Sequence, residues 1–146
     1  MQIIRSRAGQ VPSERRTATF SGDVWIDGVL QVAGGAAGAA SVAVNHVFFA
    51  PGSRTHWHSH EHGQVIQVAS GAGLICAQGE HAQAISAGDT VWTEPGVPHW
   101  HGGGPQTFML HLATSLGTTT WLGPVDDAQY AAHGEGHGEG RADGDG

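Results

Sequence analysis

Short apolar runs of strand length, each closed by glycine or a turn residue, recur along the chain: "DVWIDGVLQV" (23–32), "SVAVNHVFFAPG" (41–52), "GQVIQVASGAG" (63–73), "GLICAQGE" (73–80), "AQAISAGD" (82–89), "DTVWTEPG" (89–96) and "QTFMLHLAT" (106–114). Runs of this length, broken this often, suit strands and leave little room for a helix of ordinary length. The chain therefore reads as all-β, a sandwich or a barrel. Glycine, 24 of 146 residues, is well above the usual ~7%, and "SGAG", "SAGD" and "HGGGP" read as places where strands reverse. The stretch "AGGAAGAASV" (33–42) reads as a flexible connection, because alanine and glycine give it little to anchor with.

At 146 residues the chain is one domain in size. Its ordered part is expected over residues 1–130. From 131 to 146 the sequence "AAHGEGHGEGRADGDG" has no large apolar side chain to bury and reads as a disordered, low-complexity tail. His133 and His137 in its two "HGEG" repeats are expected to be solvated.

Charge excludes several functions. The formal net charge is -7, charged residues are 13% of the chain, and all six basic residues are arginine. No basic stripe for nucleic acid is expected. Without lysine there is no Schiff-base chemistry and no Walker-type phosphate loop. The opening "MQIIRSRAGQVPSERR" lacks an apolar stretch behind its basic residues and no segment approaches eighteen apolar residues, so a soluble, cytoplasmic protein with no membrane partner is expected. Cys76, the lone cysteine, lies in "GLICAQ" and reads as buried core filler.

The stretch "RTHWHSHEHGQ" (54–64) concentrates chemistry. Residues two apart in a strand share a face, so His56, His58 and His60 can look the same way. Gly52 is followed by five residues, His58, one residue, His60, three residues, Gln64, six residues and Gly71; further on, Gly88-Asp89 leads to Pro95-Gly96 and His99. These blocks resemble the paired motifs of the cupin superfamily, over about residues 42–113, with Gln64 where glutamate is usual, Pro95 one place late and Gly103 where asparagine often stands. The resemblance implies a jelly-roll β-barrel holding one divalent metal on His58, His60, Gln64 and His99. Four neutral ligands would leave the metal its full double positive charge, a stronger Lewis acid than with glutamate. Nitrogen and oxygen donors of this kind accept manganese, iron, cobalt, nickel or zinc.

"RTHWHSHEHGQVIQVASGAG", "GDTVWTEPGVPHWHGG", "FMLHLA" and the flanking "FSGDVWID" and "WLGPVDDAQY" are similar to a subgroup of small bacterial cupins that contains manganese-dependent hydroxynitrile lyases. That similarity implies Mn2+ and a lyase reaction, with His111 at the position of the proton-moving histidine. His111 shares a strand face with Met109 and Ala113, and His101 shares one with His99, which suits a role in holding substrate or orienting a ligand. His56 and His62, with Glu61, are expected at the rim, and His46 and His81 carry no signal. Either Asn45, Val47 and Phe49 or the opposite face with Val44, His46 and Phe48 lines the mouth. Trp57, Trp92 and Trp100 suggest an aromatic wall. A dioxygenase, a non-redox polyketide cyclase or isomerase, and a non-catalytic small-molecule-binding barrel are the other readings of the same motifs. A small-molecule substrate is expected, and "MQIIRSR", as an open strand edge, implies pairing into a homodimer or homotetramer.

Overall fold

A computed structural model describes residues 1–5, 11–35 and 40–132. The expected disorder beyond residue 132, including His133 and His137, lies outside them, as do positions 36–39 of the alanine-glycine connection. In chain order the strands are β1 (Glu14–Arg16), β2 (Phe20–Ser21), β3 (Val24–Val32), β4 (Val42–Phe49), β5 (Arg54–Thr55), β6 (His58–His60), β7 (Gln64–Ala77), β8 (Gln83–Ser86), β9 (Thr90–Thr93), β10 (His99–Gly103), β11 (Met109–Leu116) and β12 (Thr119–Trp121). Helix α1 (Asp127–Ala131) follows, capped by the Asp126 side chain on the Gln129 N–H, so the helix runs one residue into the segment read as tail.

All strand pairs are antiparallel. One sheet runs β1-β3-β4-β11 to the first half of β7, with β9 on the far side; the other joins the second half of β7 to β8 and β10, and β10 to β5 and β6. Strand β7 belongs to both, which rolls the sheets into a barrel. The all-β expectation holds, with one correction. "SGAG" and most of "HGGGP" are not reversals: residues 64–77 form one continuous strand, and Gly102 and Gly103 end β10. Glycine is needed there because backbones approach closely. A Cβ on Gly73 would strike the Gly102 carbonyl oxygen, and Gly71 has φ +76 in the left-handed region. "SAGD" does reverse the chain, between β8 and β9, with Gly88 at φ +94.

Alternation decides what points inward. In β11, Met109, His111, Ala113 and Ser115 are buried while the residues between them are partly exposed. In β4, Val47 and Phe49 are buried and His46 and Phe48 exposed, so Asn45, Val47 and Phe49 form the inner face. Val24, Val47, Phe49, Ile66, Val68, Ile75, Ile85 and Met109 form one buried hydrophobic cluster. A second cluster of Leu74, Cys76, Ala82, Trp100, Val125 and Tyr130 lies beneath the C-terminal segment. Arg54 ties that segment down: its guanidinium donates to the Val125 carbonyl oxygen at 2.8 and 3.1 Å, pairs with Asp127 and sits 4.7 Å from the Tyr130 ring centroid. Met1–Arg5 is exposed and is not a strand in the single chain.

Candidate metal centre

Strand register brings the motif histidines together. His99 of β10 is the Cα partner of His58 of β6, and His60 stands two residues along the same face. The ligand-capable ring nitrogens of His58, His60 and His99 all lie within 4.8 Å of one another, and all three residues are buried. Gln64 opens β7 beside them, its Oε1 3.0 Å from His99 Nε2. The four residues that the resemblance implied as ligands are thus gathered in one place.

Hydrogen bonds orient the rings. His58 Nδ1 donates to the His56 carbonyl at 2.9 Å and His99 Nδ1 donates to the Val97 carbonyl at 2.9 Å, because a carbonyl can only accept. His60 Nδ1 lies 3.0 Å from the Thr119 hydroxyl. A neutral imidazole that donates from Nδ1 presents a lone pair at Nε2. Burial keeps them neutral: it is the main cause holding His60 down at about 4, and it lowers His58 well below and His99 below the usual histidine value, with mutual repulsion reinforcing it at His58 and His60. His60 Nε2 is buried with no partner, and His99 Nε2 faces the Gln64 oxygen, another acceptor. Converging lone pairs with no proton between them suit a cation, so these residues fit a divalent metal.

Beside this trio stands a second imidazole pair. His111 Nε2 and His101 Nδ1 are 2.9 Å apart, while His101 Nε2 and His111 Nδ1 are buried without partners. His101 lies between His111 and the trio, its ring centroid 5.1 Å from that of His58 and 4.8 Å from that of His111. Phe49 packs on both. Burial, the largest cause, depresses His101 well below its usual value and His111 to about 4, so the pair is uncharged at neutral pH.

The aromatic wall differs from expectation. Trp100 has the opposite parity to His99 and His101 and packs outside the barrel, and Trp92 is 49% exposed. The rings that touch the histidines are Phe49 and Trp121, the latter 4.8 Å from His58. His56 serves through its carbonyl, and His62 is exposed in the turn after β6, 3.0 Å from Glu61. Sequence reasoning missed Ser115, Thr119 and Trp121. Ser115 carried a signal, because it shares the inward parity of His111. Trp121 lies in the flanking "WLGPVDDAQY" with nothing to tie it to the histidines, and Thr119 carried no signal, since only the β12–β6 register sets them opposite His58 and His60.

Comparison with known proteins agrees with this architecture. Residues 45–109 match the family model described as the cupin domain. The (R)-mandelonitrile lyase of Granulicella tundricola is 41% identical over 115 residues, covering 76% of this chain and 85% of that protein. A crystal structure of a cupin-like protein from Thermotoga maritima aligns with a TM-score of 0.74 at 32% identity, over 89% of this chain and 99% of that one. The polyketide cyclase RemF from Streptomyces resistomycificus shares the fold at 17% identity and a TM-score of 0.66, over 88% of this chain and 91% of that one. Taken with the rolled antiparallel barrel and its inward histidines, these matches establish that the chain belongs to the cupin family.

Proposed function

We propose that this cupin is a metal-dependent hydroxynitrile lyase, cleaving a cyanohydrin to an aldehyde and hydrogen cyanide, with His58, His60, Gln64 and His99 as ligands and Mn2+ as the metal. The observation that carries the reading is the neutral, buried His101–His111 pair standing beside a cluster of neutral ligands. The 41% identity to a protein named (R)-mandelonitrile lyase supports the same reaction class.

A divalent cation held by the four residues supplies Lewis-acid stabilisation of negative charge developing on the substrate. His101 and His111 supply the base. The hydroxyl proton passes to an outer nitrogen of the pair, and the 2.9 Å hydrogen bond spreads the resulting charge over both rings. The O–H electron pair becomes the carbonyl π bond, the C–CN bond breaks with its pair on cyanide, and the proton returns to give hydrogen cyanide. Phe49 and Trp121 keep bulk water off the imidazoles.

The test is benzaldehyde release from mandelonitrile by Mn2+-reconstituted protein beside a metal-stripped sample. Metal-dependent release supports the lyase. Its absence from fully metallated protein, with oxygen uptake on an enolisable substrate, would favour a dioxygenase instead. His111→Ala should abolish turnover at full metal content, and an unchanged rate would remove that role.

A homodimer is part of the proposal. Trp25, Phe48 and Phe108 are exposed, with Phe48 and Phe108 stacked at 5.7 Å, which gives one outer sheet face an aromatic surface for a second copy. Gel filtration at monomer mass would contradict it. A cytoplasmic setting is also proposed, supported by the single free, buried cysteine; among the described residues no helix is long and apolar enough to cross a membrane.

A further inference from the structure

A primary amide makes an ambiguous ligand. Its two ends have nearly the same shape, yet only the oxygen can face a cation; the NH2 end would present two positive hydrogens. Something must therefore choose which end of Gln64 points at the imidazole trio. Bulk water cannot do so here, because Gln64 is 3% exposed.

Gln64 Nε2 donates to Ser115 Oγ at 3.0 Å, and Ser115 is itself 8% exposed. The two residues are directly opposed across the β7–β11 pair, where facing Cβ atoms sit ~4.5–5.5 Å apart. At that spacing a serine hydroxyl reaches the amide nitrogen and an alanine methyl offers it nothing. With Nε2 held by Ser115, Oε1 is turned to within 3.0 Å of His99 Nε2. His99 is committed to donating from Nδ1 to Val97, so its Nε2 meets Oε1 as one acceptor meets another. That contact is favourable only with a cation shared between them.

We propose that Ser115 is a positioning residue that selects the oxygen end of Gln64 as the fourth donor of the centre. The proposal rests on the reading of these four residues as metal ligands. It makes a distinctive prediction: a carboxylate has two equivalent oxygens and needs no end chosen, so Ser115 matters when residue 64 is glutamine and loses that importance when it is glutamate.

The experiment measures Mn2+ affinity by competition with a chelating dye for four full-length proteins: wild type, Ser115→Ala, Gln64→Glu, and Gln64→Glu combined with Ser115→Ala. Residues that orient metal ligands are typically worth 10–100-fold in affinity. Ser115→Ala should therefore weaken binding about tenfold or more, Ser115→Thr should restore most of it, and in the Gln64→Glu background the serine should be worth less than about threefold. The visible spectrum of the Co2+-loaded protein should change in Ser115→Ala and recover in Ser115→Thr. Equal losses in both backgrounds would show that Ser115 merely packs, and no loss in either would show that it does nothing; both results overturn the proposal. Wild-type protein that binds no Mn2+ would overturn the ligand assignment itself, and this proposal with it.

Discussion

Strand β10 divides the molecule into two regions built on different physics. On its inner face His99 and His101 join His58, His60 and His111 in a buried cluster where His60 Nε2, His101 Nε2 and His111 Nδ1 are left without protein partners. On its outer face Trp100 is 1% exposed, set against Leu74, Cys76, Val125 and Tyr130, and the nearby charge of Arg54 is spent on a carbonyl and a carboxylate. The outer cluster is satisfied and stabilises the barrel. The inner one holds uncharged imidazoles out of contact with solvent, at a cost in stability that a bound cation would offset. Residues one apart on one strand thus serve opposite ends.

The sharpest way to break the contrast is to remove one of the inner histidines. His60→Ala should lower Mn2+ retention by more than ~100-fold, beyond the range of orienting residues, while leaving the metal-free barrel folded. Metal content after gel filtration checks this, and full retention would remove His60 from the centre. The mirror experiment is Trp100→Ala, expected to cost ~3–5 kcal/mol by urea denaturation because a fully buried ring leaves a cavity. A loss under ~1 kcal/mol would mean that the outer cluster does not hold the barrel.

Acid separates the regions by sign. His60 and His111 are held at about 4, so the fold binds fewer protons than the unfolded chain between there and the ordinary histidine value near 6.5. Stability of the metal-free protein should be full above pH 6.5 and fall as the pH drops towards 4, by on the order of 3 kcal/mol for His60 alone. Burial pushes the Cys76 thiol and the Tyr130 hydroxyl up, away from that window. Urea midpoints across pH 4–8 should therefore shift bodily in Trp100→Ala and fall less steeply with acid in His60→Ala, the other buried histidines keeping part of the slope; a flat wild-type profile would contradict the burial argument. The smallest effect is expected from Arg54→Ala, ~1–3 kcal/mol from the lost hydrogen bonds to Val125. Hydrogen exchange should rise over residues 122–132 while Mn2+ affinity stays within about twofold. A large loss of metal would show that the two regions are coupled.

Much of the inner region was legible in the chain. His58, His60, Gln64 and His99 are marked by motif spacing that resembles the cupins, and the parity of "FMLHLAT" puts His111 on one face with Met109 and Ala113, the face that the structure buries. The outer region was not. Trp100 sits in the same run as His99, and only the path of residues 121–132 over that sheet determines that it is packed outside the barrel. The three tryptophans near the motifs therefore suggested a wall that Phe49 and Trp121 actually supply. "SGAG" misled for a related reason: glycine marks a turn and a close backbone approach equally, and local sequence does not distinguish them.

By itself the sequence determined that this chain forms strands, which residues share a face, and, through its resemblance to cupins, which side chains can bind a metal, because alternation and motif spacing are local properties of an extended backbone. The tertiary structure alone decided what stands behind those side chains: the Val97 and His56 carbonyls, the Thr119 and Ser115 hydroxyls, and the His101–His111 contact. Several of these partners come from strands distant in sequence, and hydrogen bonding is directional at about 3 Å, so which atom meets which ring is settled only when the sheets close and fix the register.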